Sequence, residues 1–352
     1  MNPENNLKTR LKSMFPFDWE ILRHAGAEPV PHHLKKWWFC IGGTPFYLFF
    51  VLAVSGFGLT FYYVPSPDHA YSSVAAITSD VRFGWYVRSI HRWASNLMIV
   101  AVFLHLLRVY FTGAYRHPRQ LNWCVGLLLL VCTLTFGFTG YSLVYEQLSF
   151  WGATVGCNLA EAVPVIGPYV AYFLRGGPEI GANTLTRFFV LHVGILPVCV
   201  IALLGFHVLL IRLHGITELQ FEGEEVPAEK RHFRFWPDHA TTELAIGVLL
   251  MYLLTILALV FPAEMGPPAD PTRTPPHIKP EWYFYFNFKL LKLTSLHTSV
   301  VLSLGLGLVL FFWPFIEERL SRKFKLSDSV PVALGAGAFI VFLVLTIWES
   351  YS

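Results

Sequence analysis

The sequence predicts an all-α membrane protein with seven transmembrane helices, and three observations predict it. Only 14% of its 352 residues are charged, against about 25% in soluble domains. Hydrophobic residues make up 54% and mean hydropathy is +0.50. Seven apolar runs approach the roughly 20 residues needed to cross a bilayer. Too few charges remain to cover a soluble core, and a formal net charge of +3 gives no basic surface for nucleic acid. Disorder, fibres and disulfide scaffolds are excluded on the same grounds. The partner this composition calls for is the lipid membrane.

Residues 1–36 are polar and lack the apolar stretch of a cleavable signal, so insertion is expected to use the first internal apolar run. The spans are expected at 41–63, 86–111, 123–144, 188–212, 243–262, 297–316 and 330–349. The second opens on Arg88, His91 and Arg92; the apolar 97–107 stretch and the interfacial Trp85, Tyr86 and Trp93 justify it. A Pro/Gly-rich connection at 262–280 separates the fifth and sixth. No internal repeat is visible. Five cysteines occur without a CxxC pair, and Cys124, Cys132 and Cys199 read as small buried hydrophobes within apolar runs.

Lys and Arg accumulate on the cytoplasmic side of short loops. They crowd the N-terminal segment, the loop with Arg116 and Arg119, the loop with Lys230, Arg231 and Arg234, and the loop from Arg319 to Lys325. The alternate loops 64–84 and 145–186 hold only Arg82 and Arg175. The N-terminus is therefore expected inside and the C-terminus outside. The loop 263–296, with Arg273, Lys279, Lys289 and Lys292, is the exception and is expected to be semi-buried.

Of fourteen histidines, four lie well inside spans: His91 and His105 in the second, His192 and His207 in the fourth. Ionisable residues in hydrocarbon are costly and usually functional; the plainer reading is polar residues bonding across helices. The intervals are 14 and 15 residues, roughly 21–23 Å along a helix. Each pair returns to nearly one face. Both spans run in the same direction, so His91 and His192 share one level and His105 and His207 another. Two stacked bis-histidine sites suit two haems. Zinc would want thiolate or carboxylate ligands at each level, and the sequence places none there.

Gly42 and Gly56 in span one, and Gly126 and Gly140 in span three, repeat the 14-residue interval. Missing side chains there would let a flat macrocycle approach the backbone; ordinary small-residue packing is the alternative. Arg88, Arg92, Arg108, Arg187 and Arg212 lie within a turn or two of the histidines and suit haem propionates, with interfacial snorkelling as the alternative for any one of them.

These residues resemble the cytochrome b family of quinol oxidoreductases. The first 215 residues resemble cytochrome b6 through FCIGG at 39–43, FGWYVRSIHRW at 83–93, HLLRVYFTG at 105–113, FGFTGYSL at 136–143 and TLTRFFVLH at 184–192. The remainder resembles subunit IV of the b6f complex through GPPADPTRTP at 266–275 and PEWY at 280–283. The resemblance implies a fused chain: a di-haem four-helix bundle over 1–215, a cytoplasmic connection at 216–240 and a three-helix part over 241–352.

It further implies that His91 and His192 ligate a low-potential b haem near the outer face, and His105 and His207 a high-potential b haem near the inner face. Quinol would be oxidised near the outer face, in a pocket between 136–155 and the PEWY loop. One electron would leave through a Rieske iron–sulfur protein to a c-type cytochrome, and the other would cross both haems to an inner quinone site. Glu281 would take a proton, since burial raises a carboxyl's affinity for one; Tyr141, Gly152 and Tyr283 would form pocket walls. Cys40, in FCIGG where b6 has YCLGG, would carry a third haem by one thioether bond, with Arg212 beside it. A homodimer in a bacterial inner membrane is implied as well. The family's GYSLPWDQ reads GYSLVYEQ here, so Val144 and Tyr145 replace a Pro-Trp pair, and SFWGATV at 149–155 is closer to the mitochondrial type.

Two other readings compete. A di-haem anchor of a dehydrogenase or hydrogenase would also need the histidine pairs, but has no use for PEWY. A proton-coupled transporter would show broken helices or repeated halves.

Overall fold

A computed structural model describes residues 28–219 and 227–352. These fall into two compact units. One holds the described residues among 1–40 and 216–249, and the other is Ile41–Gly215 with Leu250–Ser352.

In the first unit, β1 (Pro29–Pro31) pairs antiparallel with β2 (His232–Arg234), with Val30 opposite Phe233. Lys35 lies over the Phe233 ring, and the Cys40 thiol donates to Leu34 O at 3.2 Å.

The second unit carries the spans. In order, α1 is Gly43–Thr60, α2 Ala70–Ser79, α3 Gly84–Phe111, α4 Gln120–Leu143, α5 Gln147–Glu161, α6 Gly167–Arg175 and α7 Ala182–His214. The helix α8, Ala240–Val260, starts in the first unit and continues into the second. There follow α9 (Tyr285–Leu293), α10 (Leu296–Phe311), α11 (Trp313–Phe324) and α12 (Ser329–Ser350). Among the described residues, six helices are long and apolar enough to cross a membrane, and α10 with α11 makes a seventh candidate.

The sixth expected span, 297–316, falls on α10 and the start of α11. The helix stops at Phe311 and the chain bends by 69° into α11. Pro314 opens α11, where a missing backbone N–H costs nothing, while within a continuing helix it would leave a carbonyl unpaired.

The helix α7 is not regular either. Leu191–Ile195 forms one wider turn, with Leu196 N bonded to Leu191 O, five residues back. Pro197 follows directly and cannot donate to Val193, so the ladder skips at that point. His192 sits inside this turn.

The core is built where spans cross. Leu48 and Val51 of α1 pack with Ile90, Ala94 and Met98 of α3, and with Leu254 and Ala258 of α8. Trp123, Cys124 and Leu127 of α4 pack with Tyr115, and Phe311 and Trp313 lie against that cluster. Outward apolar side chains such as Ile201, Leu209 and Leu306 remain exposed, as a lipid-facing surface requires. Cys124 is buried as expected, but Cys132 is half-buried and Cys199 is exposed. An apolar run identifies a span without saying which of its faces meets lipid.

Candidate haem and quinol site

The bundle α1, α3, α4 and α7 brings the four histidines together in two pairs. The His91 and His192 rings lie 6.3 Å apart centre to centre, and the His105 and His207 rings 6.4 Å apart. An imidazole nitrogen sits about 2 Å from a bound transition metal and about 1 Å from its own ring centre, so a metal held between two facing rings needs a separation of about 6 Å. Both pairs fit that demand. At one level Ser55 Oγ and Thr139 Oγ1 face the Nδ1 atoms of His91 and His192 at 2.9 and 3.0 Å. At the other, Nδ1 of His105 and of His207 is buried and faces no hydroxyl among the described residues.

Each of the four glycines serves one histidine. A Cβ on Gly140 would stand 2.6 Å from His192 Cε1, and one on Gly56 3.0 Å from His91 Cε1. On Gly42 and Gly126 it would lie 3.5 and 3.6 Å from Cε1 of His105 and His207. In the protein chain alone, the space left by the glycines is filled by the histidine ring.

The arginines divide. Arg88 is buried, and its guanidinium donates to Ala263 O at 2.6 Å and Glu264 O at 2.8 Å. Arg187 donates to the carbonyls of Tyr172 and Phe173 and lies over the Phe173 ring. Sequence position near a histidine suggested a propionate partner for both; their contacts are with backbone of neighbouring segments. Arg108 lies in the last turn of α3, and Arg212 in the last turn of α7.

The segment 261–270 is fastened across the His91 end. Trp93 donates to Phe261 O, Ala263 N to Ser89 Oγ, Gly266 N to Glu146 Oε2 at 2.6 Å, and Tyr71 OH to Gly266 O. Gln147 closes it, donating its backbone N–H to Pro267 O and accepting from Asp270 N. The pair Glu146–Gln147 follows the departure at Val144 and Tyr145. Its role as a clasp is a finding of the tertiary structure; a lone acid and amide carry no such signal in sequence.

Glu281 lies in the same region. Its carboxylate is 3.6 Å from Arg92 and about one-fifth exposed. Burial pushes its pKa above the ordinary carboxylate value, Arg92 opposes that shift, and Glu146 adds to it. The charge of Glu281 also reaches Tyr141 and Tyr283. The next residue, Trp282, donates its indole N–H to Asn96 Oδ1 at 2.7 Å, which anchors the segment to α3. Tyr283 is buried, with its hydroxyl against Gly137, and a Cβ added at Gly152 would stand 3.3 Å from the Tyr141 ring. Glu281, Tyr141 and Tyr283 thus lie in one neighbourhood, with Gly152 beside Tyr141. Asn96, Arg92 and Gly137 complete the set.

Cys40 is buried, and its thiol, a His239 nitrogen and a Glu243 oxygen lie within 4.8 Å of one another.

Comparison with known proteins agrees with this geometry. Residues 26–215 match the family model "Cytochrome b/b6/petB" and residues 268–351 match "Cytochrome b(C-terminal)/b6/petD". The chain is 45% identical over 208 residues to the cytochrome b6 of Heliomicrobium gestii, covering 59% of this chain and 98% of that one. It is 35% identical over 338 residues to the cytochrome bc complex cytochrome b subunit of Chlorobaculum thiosulfatiphilum, covering 94% of this chain and 78% of that one. A solved structure titled "Hyperthermophilic respiratory Complex III" superposes with a TM-score of 0.72 at 25% identity, over 89% of this chain and 91% of its own. With two facing imidazole pairs in one apolar bundle and both family models matched in order, the chain belongs to the cytochrome b/b6 family of membrane electron-transfer proteins.

Proposed function

We propose that this chain is the cytochrome b subunit of a quinol:cytochrome c (or equivalent acceptor) oxidoreductase, with quinol oxidised at the His91 end, on the outer face of a bacterial inner membrane. One observation carries the reading: a largely buried carboxyl group, Glu281, lies 3.6 Å from Arg92, the residue next to His91, beside two stacked bis-imidazole levels. Quinol oxidation yields quinone, two protons and two electrons, so the site needs a proton acceptor beside an electron path.

His91 with His192, and His105 with His207, would hold the two b haems. A haem at each level supplies a one-electron carrier between the quinol pocket and a quinone site at the other end. The rest of the chemistry falls to side chains. Tyr141, Tyr283 and Gly152 would form the walls of the quinol site. Glu281 takes a proton from a quinol hydroxyl at its carboxylate oxygen, and Arg92 stabilises the carboxylate when the proton leaves outward. The other electron of each quinol goes to a Rieske iron–sulfur protein and then a c-type cytochrome subunit. The charge pattern of the loops supports a cytoplasmic N-terminus, and the relatives' membership of bc complexes supports the partners.

Cys40 would bind a third haem by a thioether bond near the inner quinone site, with Arg212 as its neighbour, and two copies of the chain would form the core of the complex. The family match that ends at 215 supports a division there, with the connection at 216–240 lying between the two matches.

A haem inventory on the purified chain tests the reading. Two b haems extractable by acid–acetone, both reducible by quinol in the complex, are expected, with one further haem retained on the polypeptide. Absence of extractable haem from a folded preparation would overturn the reading. Two extractable haems with none retained would remove only the Cys40 attachment.

A further inference from the structure

The two imidazole levels differ in one respect that the shared ligand type hides. Ser55 Oγ, which faces His91 Nδ1, also lies 2.7 Å from Val51 O, and Thr139 Oγ1, which faces His192 Nδ1, lies 2.8 Å from Thr135 O. A hydroxyl has one proton, and a carbonyl can only accept. Each hydroxyl proton therefore goes to the carbonyl one turn back in its own helix, and a lone pair faces the imidazole. Nδ1 must then carry the ring hydrogen. In a neutral imidazole that leaves Nε2 unprotonated, which is the nitrogen a metal needs.

The pattern is the same on both sides of the level: Ser55–Gly56 on α1 and Thr139–Gly140 on α4. The hydroxyl residue orients the ring, and the adjacent glycine leaves room for it. At the other level the glycines are preceded by Ile41 and Val125. There no hydroxyl faces Nδ1 of His105 or His207 among the described residues, and the His207 ring has a backbone partner, Asn122. Both hydroxyl side chains are buried, Ser55 at 8% and Thr139 at 1% exposure, so water does not compete for these bonds.

We propose that Ser55 and Thr139 are positioning residues that fix the tautomer and orientation of His91 and His192, and that they make these two rings stronger donors than the pair at the other level. The proposal rests on the reading that the histidines ligate haem iron. A ring nitrogen that donates a hydrogen bond makes its partner nitrogen more basic. A more basic ligand favours the oxidised metal, so the pair of bonds lowers the reduction potential at the His91 level and leaves the His105 level untouched.

The test is a redox titration with low-spin haem spectroscopy on the assembled complex carrying Ser55→Ala with Thr139→Val. The expected result is an upward shift in potential and an altered low-spin signal for the His91-level haem, with the His105-level haem unchanged. Ser55→Thr and Thr139→Ser, which keep the hydroxyls, should restore both values. Full haem content with both potentials and both signals unchanged in the double variant would overturn the proposal. If the double variant sheds that haem, the near-isosteric single Thr139→Val variant decides by the same two readouts. A parent complex without haem at His91 would instead remove the ligation reading itself.

Discussion

Gly140 and Gly42 occupy matching places in the sequence pattern yet differ in how tightly their histidines press on them. An added Cβ would stand 2.6 Å from His192 at Gly140, but at an ordinary 3.5 Å from His105 at Gly42. Overpacking a filled interior costs about 1–3 kcal/mol. Gly140→Ala should therefore deplete the haem of the His91 level, while Gly42→Ala should leave haem content near that of the parent; pyridine haemochrome with resolved optical bands measures both. Glu281 is the second residue whose environment decides its role. Burial raises its pKa and Arg92 pulls it back. Only the ionised carboxylate accepts a proton, so quinol oxidation should rise with pH through the raised pKa and level off above it. Glu281→Gln should slow turnover by about 10²-fold, at the lower end for general-base catalysis, and flatten that limb with haem content intact. Arg92→Gln should move the limb to higher pH. The histidines, the glycines and Glu281 were legible in sequence because spacing and motif identify them. Ser55, Thr139 and Asn96 were not, since a single hydroxyl or amide in a span is usually satisfied by its own helix.

Single elements show where local rules gave way. The Pro/Gly-rich stretch after α8 reads in sequence as a spacer. Arg88, Ser89, Tyr71, Glu146 and Gln147 instead bond it down residue by residue. Hydrogen bonds to a charged group contribute about 1.5–3 kcal/mol each, so Arg88→Met should free this segment. Faster proteolytic cleavage within 262–275 and slower quinol turnover are expected, with both haem levels still occupied; unchanged cleavage would show that Arg88 does not hold the segment. The lysines of the same connection, which broke the charge rule, are also explained. Lys289 and Lys292 pair with the fully buried Glu349 of α12, and Lys279 donates to Glu349 O. Lys289 itself is buried. Charges neutralised within the fold give little topological signal, and these three also brace the segments on both sides of Glu281.

For the whole molecule, the spans and their order were readable because an apolar run of fixed length can do little else in a chain this poor in charge. Removing ligands at one level should be separable from the other. His105→Leu should abolish the haem of that level while leaving the His91-level haem present and reducible by quinol; loss of neither would refute the pairing. A ligand bound only by the native state stabilises it in proportion to occupancy. Haem-depleted protein should accordingly unfold at lower temperature than loaded protein, and the His105→Leu variant should fall between them by differential scanning calorimetry. The bend after Phe311 and the exposed Cys199 escaped the sequence for one reason. Hydropathy reports how apolar a stretch is, but neither where a proline ends it nor which face turns outward.

By itself the sequence determined the membrane class, the order of the spans, the two histidine levels and the acidic residue at one of them. The first three follow from spacing along a helix or from composition and the last from the PEWY motif, all of them properties of the chain before it folds. Only the tertiary structure decided which glycine faces which imidazole, that Arg88 holds a loop, that Glu146 and Gln147 clasp it, and that among the described residues hydroxyls face the imidazoles of one level and not of the other. Those are contacts between residues from 35 to 176 positions apart. A hydrogen bond depends on a few tenths of an ångström and on direction, and no periodicity along the chain encodes either.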